Sequence, residues 1–167
     1  MSTQTLALVL VAAVLVFWTV GAYNRLVGLR NELLRHFSNV DQQFRTRQSL
    51  LLQWIEGLGE SDAQALDALR AACRQGEAAC GHARARPSSA GAATSLRLAE
   101  DILAQARSRL PPPADGALVS ALAECDATLA FAKRQFNHAV QSYNRAVAQF
   151  PTWVIAGLFG FRKAGTL

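Results

Sequence analysis

Residues 5–58 read TLALVLVAAVLVFWTVGAYNRLVGLRNELLRHFSNVDQQFRTRQSLLLQWIEGL. Leu6–Ala22 within it is seventeen residues without a charge, followed by an amphipathic stretch with no Gly-Pro break between them. A membrane span takes about 20 residues and tolerates about 17. Beyond the run, Leu26, Leu29, Leu33, Phe37, Val40, Phe44, Leu51, Ile55 and Leu58 recur in steps of three and four with a single step of seven. That is the stripe of a helix packed on one face. The whole stretch therefore reads as one helix or nearly so, half suited to lipid and half to a bundle, ending near Gly57–Gly59.

Trp18 and Tyr23 suit a headgroup boundary, where an apolar ring carries a polar tip. A competing reading is a cleaved signal peptide, with Val20-Gly21-Ala22 as a small-residue site. Two features oppose it: MSTQT carries no basic residue, and the run is longer than the usual apolar core of about 7–15 residues. Arg25, Arg30 and Arg35 follow the run and nothing charged precedes it. Basic residues favour the cytoplasmic side, so the N-terminus is expected outside and the bulk of the chain in the cytoplasm, as a single-pass protein of the cell membrane.

The remainder reads as all-α. Of 167 residues 51% are hydrophobic and 17% charged, rich in Ala, Leu, Arg and Gln, a composition that favours helix. The excess of basic residues, net +5, is scattered among acids, which argues for solvated helix faces and against a nucleic-acid partner. Cys73, Cys80 and Cys125 form no metal-binding spacing, and two turns of one helix separate the first two, so they read as small buried hydrophobes suited to a reducing compartment.

The expected organisation is a transmembrane anchor over 1–24, a bundle over 25–150 and an aromatic and basic tail over 151–167. The bundle is an antiparallel, up-down arrangement of about four helices, near 25–58, 62–80, 96–110 and 116–150. Ser61 and Gln64 form a capping-box pattern before the second helix. Pro87 and the small residues of GHARARPSSAGAATS mark 81–95 as a loop or frayed helix end. Pro111-Pro112-Pro113 stops the third helix, and Asp115 caps the fourth, whose stripe runs from Leu118 through Leu122, Cys125, Leu129, Ala132, Phe136, Tyr143 and Val147 to Phe150.

Three residue sets also carry a resemblance. They are YNxLVxLRN after the anchor (Tyr23–Asn31), then Asp41, Phe44 and Arg47, and late in the chain AKxxFNxAVxxYN (Ala132–Asn144) with Phe150-Pro151 and Phe159-Gly160-Phe161. This ordered combination is similar to the LemA family of bacterial membrane proteins. The resemblance implies one N-terminal span, a long-helix antiparallel bundle on the cytoplasmic side, and no established enzymatic activity. Leu52-Gln53 stands where the family usually has Pro-Asn, Lys133 and Phe136 replace its Arg and Tyr, and 59–113 shows little of its pattern.

Spacing by sevens suggests a polar ladder. Asn24, Asn31 and Ser38 on the first helix and Asn137 and Asn144 on the fourth pair at equal height if numbers across the antiparallel seam add to 175. Such a ladder would fix register; the alternative is that these side chains face water. In the tail, Trp153, Phe159 and Phe161 with Arg162 and Lys163 suit the inner leaflet, rings in lipid and cations at phosphates, or else the rings cap the open end of the bundle. His36, His82 and His138 are isolated, and no phosphate loop or nucleophile elbow is present, so no cofactor, metal or catalytic residue is expected. Two non-enzymatic readings follow. One is a membrane-anchored scaffold or adaptor for unidentified partner proteins at the bilayer. The other is a membrane-surface organising protein whose tail binds lipid.

Overall fold

The computed structural model describes residues 2–58 and 63–167. Helix α1 spans Thr3–Gly57, 55 residues, about 80 Å at 1.5 Å per residue. It runs unbroken through the boundary between apolar run and amphipathic stripe, and past Leu52-Gln53. Helix α2 follows over Ala63–Ala85, α3 over Ala90–Ser108, α4 over Gly116–Ala148 and a short α5 over Thr152–Leu158. Helices α1–α4 alternate in direction. The α1–α4 pair forms one long seam and α2–α3 a second, with α2 also against α1. Residues 161–167 contain no helix.

The largest departures from the expected boundaries lie at the end of α2 and the start of α3; α3 and α4 each also end two residues early, at Ser108 and Ala148. Residues 81–85 continue α2, because Ala83 lies three residues beyond Cys80 on the same buried face. Pro87 then disfavours helix at the residue before it. Helix α3 starts at Ala90, six residues earlier than expected, because the Ser89 hydroxyl accepts from the Ala92 N–H at 3.3 Å and caps an alanine-rich turn. The expected loop therefore shrinks to residues 86–89. The small residues taken as loop signals are packing residues: Ala92 and Ala93 are buried. Asp115 caps α4 as expected, its Oδ1 accepting from the Ala117 N–H at 2.9 Å. Ser61 of the capping-box pattern lies outside the described residues.

Two apolar clusters fill the bundle. The one nearer the apolar run joins Leu26, Leu33, Phe37 and Val40 to Phe136, Val140 and Tyr143. The distal one joins Leu51, Trp54 and Ile55 to Leu66, Leu69, Leu103 and Leu122. A belt of charges lies between them. Arg47, buried on α1, bonds Glu100 on α3 bidentately; Lys133 on α4 reaches the same carboxylate at 2.8 Å. Asp126 meets Arg107 at 2.9 Å and Arg47 at 3.6 Å. Asp41, also buried, joins Arg45 on its own helix and Arg84 on α2. Burial opposes ionisation of Glu100, but its bond to Arg47 and the charges of Arg47 and Lys133 outweigh that and hold its pKa below the ordinary value.

The seam register follows from these contacts. Phe37 meets Phe136 with ring centroids 5.8 Å apart, and Arg47 meets Asp126. In both pairs the numbers add to 173, within two of the sum expected from the asparagine spacing.

Candidate membrane-junction site

The first eighteen or so residues of α1 differ from the rest of the helix. An 18-residue window there has a mean hydropathy of 2.4 and is only 6% buried, so it is long and apolar enough to cross a membrane and is no core helix. Burial begins at its end. Trp18 packs partly on the proximal cluster, and Ala22 and Leu26 are buried in it.

At this height the chain returns. Helix α5 packs against both α1 and α4, burying Thr152, Ile155 and Ala156. Its other face is open: Trp153 is 54% exposed and Leu158 75%. Just beyond it, the Phe159 ring lies 4.9 Å from the Tyr23 ring, and Phe161 is 5.9 Å from Tyr23. The segment is thus divided between a face packed on the bundle and a face turned outward. Ile155 and Ala156 close the bundle end, while Trp153, Leu158 and the half-exposed Phe159 face outward. Arg162 and Lys163 are exposed next to them. Phe150, expected to complete the α4 stripe, is 74% exposed, because α4 ends at Ala148 before Pro151.

Residues 164–167 then descend along α4, and here the asparagine ladder is corrected. The Asn144 Nδ2 donates to the Ala164 carbonyl at 2.8 Å, and the Ala164 N–H donates to Asn144 Oδ1 at 2.7 Å. Asn137 does the same with Leu167, at 2.6 and 2.7 Å. Asn24, Asn31 and Ser38 are exposed and, among the described residues, make no side-chain bond across the seam. The physical reason is competition for partners. A non-helical segment leaves each backbone N–H and C=O unpaired, and a primary amide can satisfy both at once. Seven helical residues advance about 10.5 Å, so three tail residues must cover that distance, close to full extension.

Gly165 sits between the two clamped residues. A Cβ there would lie 2.6 Å from the Ala90 Cα and 2.9 Å from the Ala93 Cβ. The tail thus lies between α4 and the first turn of α3, and the early start of α3 builds its other wall. Nothing in the spacing of Asn137 and Asn144 distinguished a helix partner from a tail partner. The one available signal was the small, regular text at Ala164-Gly165 and Ala90–Ala93.

Between Tyr23, the α2–α3 turn and the tail lies a cleft of about 660 Å³. It receives Arg30 from α1, Arg86 from the turn, and Arg162 and Lys163 from the tail, and among the described residues no acidic one lines it. Tyr143, 2% exposed, forms part of its floor. Burial raises the Tyr143 pKa, with the charge of Arg30 acting the other way.

Fold and site together define a class: a helical bundle carried on a helix whose first part is apolar enough to cross a membrane, with the C-terminal segment folded back to that crossing point. Residues 114–167 match the model of the LemA family. The matched region holds α4, both clamp asparagines and the whole returning tail, and it supports the family resemblance read from the sequence. No curated protein and no solved structure matches the chain. Among the described residues, no group of three or more His, Cys, Asp or Glu is placed to hold a metal.

Proposed function

We propose that this protein is a non-enzymatic, single-pass membrane protein that organises the membrane surface, attached to it twice: by the apolar run of α1 and by the outward face of α5. The observation that carries this reading is the Tyr23–Phe159 ring contact at 4.9 Å. It fixes the exposed apolar side chains of α5 at the height where α1 leaves its apolar run, so the two form adjoining apolar surfaces. An aromatic and aliphatic face rimmed by Arg162 and Lys163 suits the boundary between acyl chains and phosphates. Arg25, Arg30 and Arg35, all exposed, support the orientation with the bundle in the cytoplasm.

The adaptor reading has less behind it. Outside the junction the large exposed apolar side chains Leu52, Leu98, Val119 and Phe131 are dispersed over α1, α3 and α4, and single exposed apolar residues are ordinary.

The test uses the full chain in phospholipid vesicles, with Trp18→Phe and Trp54→Phe leaving Trp153 as the only tryptophan. Quenching of its fluorescence by lipids brominated near the headgroup, with little quenching by aqueous iodide, is expected. The reverse pattern overturns the second attachment. A reporter fused after Leu167 reads the orientation, and activity on the outer side of the membrane would reverse it.

A further inference from the structure

The cleft between Tyr23, the α2–α3 turn and the tail has a charge arrangement unlike that of the bundle interior. In the bundle interior each buried cation meets a carboxylate, as Arg47 meets Glu100. In the cleft, Arg30, Arg86, Arg162 and Lys163 converge from three separate segments, and none of them has an ion pair among the described residues. Four like charges in one concavity repel one another. An arrangement of this kind costs stability unless an anion occupies it.

Three further features point to the same occupant. The Tyr143 hydroxyl belongs to a side chain that is otherwise buried in the core, yet it finds no hydrogen-bond partner among the described residues and borders the cleft. Helix α3 begins at the cleft, with Ser89 and Ala90 in its wall, so the N-terminal end of a 19-residue helix, the positive end of its dipole, borders the same space. Tyr23 and Phe159 form the wall on the side of the apolar run. A ligand fitting all of these has a phosphate at one end and acyl chains at the other.

We infer that the cleft is a binding site for the phosphate headgroup of an anionic phospholipid, held by Arg30, Arg86, Arg162 and Lys163 and by a hydrogen bond donated from Tyr143. The inference rests on the membrane attachment proposed above and names its ligand. Because two of the cations follow α5 and a third belongs to the α2–α3 turn, headgroup binding ties the tail to the rest of the bundle. Attachment of α5 would then depend on the lipid bound beside the segment that follows it.

The full chain in neutral detergent, titrated with phosphatidylglycerol and read by native mass spectrometry, tests this. Saturable binding is expected, with phosphatidylcholine binding at least tenfold weaker, since a zwitterion offsets the phosphate charge (about 1 kcal/mol per cation near an anionic surface). Replacing Arg30, Arg86, Arg162 and Lys163 together by Gln should weaken phosphatidylglycerol by about fivefold per cation. The same replacement at Arg25, Arg35, Arg97 and Arg145, exposed and outside the cleft, should leave it within about twofold. Tyr143→Phe keeps the buried ring and removes only the hydroxyl, with an expected loss of about fivefold; it serves if the fourfold variant does not fold.

Equal loss in the two fourfold variants overturns the site in favour of general surface charge. So does equal binding of phosphatidylcholine, or a Tyr143→Phe protein that binds as the wild type does. Displacement of the lipid by millimolar inorganic phosphate assigns the cleft to free phosphate and overturns the lipid source. Trp153 quenching in vesicles is measured on the same variants. If it persists while phosphatidylglycerol specificity is absent, the cleft assignment falls and the second attachment stands.

Discussion

Asn144 and Ala164 form a closed pair: the asparagine amide donates to the alanine carbonyl and its oxygen accepts the N–H of the same residue, at 2.8 and 2.7 Å. This contact reads backbone and leaves the identity of the tail side chain free. Asn137 repeats it one heptad earlier on Leu167. Replacing either asparagine by Leu keeps the volume and removes both bonds. With about 1 kcal/mol net per bond, each variant should lower the local opening free energy of the tail by about 2 kcal/mol. Amide exchange at residues 164–167 should accelerate about thirtyfold while the cores of α1 and α4 keep their protection. Unchanged tail exchange would show that the tail is held by Ala164 and Phe161 packing alone.

Gly165 tests the same groove by sterics. A methyl at 2.6 Å from the Ala90 Cα meets backbone, which cannot rotate away. Gly165→Ala should therefore lift the tail even with both asparagines intact. Trypsin cleavage after Arg162 or Lys163, both exposed, should become faster than in wild type. Thr166→Ala, which adds no atoms, should cleave as wild type does. If Gly165→Ala shows wild-type cleavage, the tail does not lie against α3.

Much of this architecture is legible in periodicity. Of the nine residues in the α1 stripe, Leu26, Leu33, Phe37, Val40, Phe44, Leu51 and Ile55 are buried, while Leu29 and Leu58 are partly buried against the two clusters. Its one irregularity, the step of seven from Phe44 to Leu51, was informative in a way that apolar counting misses. Arg47 fills the gap at the proper spacing and is 7% exposed, so the missing apolar residue is where the ion belt crosses the core. Asp126, beside the α4 core, pairs with Arg107 and Arg47, whereas Glu124, two residues earlier, is exposed and has no ion pair among the described residues. The Glu100 partnership was not legible, because no local pattern encodes which carboxylate a buried arginine will meet. The tail escaped for a similar reason. A backbone-to-amide contact leaves no side-chain periodicity in the segment that is bound.

The thiols should be inert in the folded state. All three are buried and unpaired, and burial raises each pKa, that of Cys80 to about 11. Cys125 is further engaged, its Sγ donating to the Gln43 carbonyl at 3.6 Å across the α1–α4 seam. The thiolate is the reactive form and an exposed thiol has a pKa near 8.5. At pH 8, alkylation by iodoacetamide should leave all three unmodified over the time in which a denatured sample is fully labelled. Rapid labelling of Cys80 without denaturant would mean that α2 opens locally.

The ion belt gives the bundle an acid limit whose sign follows from Glu100. Its folded pKa lies below the ordinary value, despite burial, because Arg47 and Lys133 hold the charged form. The unfolded chain therefore binds its proton first as pH falls. The stabilisation is complete above the ordinary glutamate range, near pH 4.3, and disappears as pH drops through the lowered folded value. Glu100→Gln removes that dependence and exposes a second cost at neutral pH. Arg47 then remains buried with only Asp126, at 3.6 Å, for compensation, and Lys133 loses its carboxylate. Breaking a buried pair costs about 3–5 kcal/mol; with 19% of the Glu100 side chain still exposed, the lower end, about 3 kcal/mol, is expected. Urea unfolding followed by helical circular dichroism should show this loss at pH 7 and a smaller difference between the two proteins at pH 3. A constant difference across that range would mean that the belt contributes through packing and that the Glu100 charge contributes nothing.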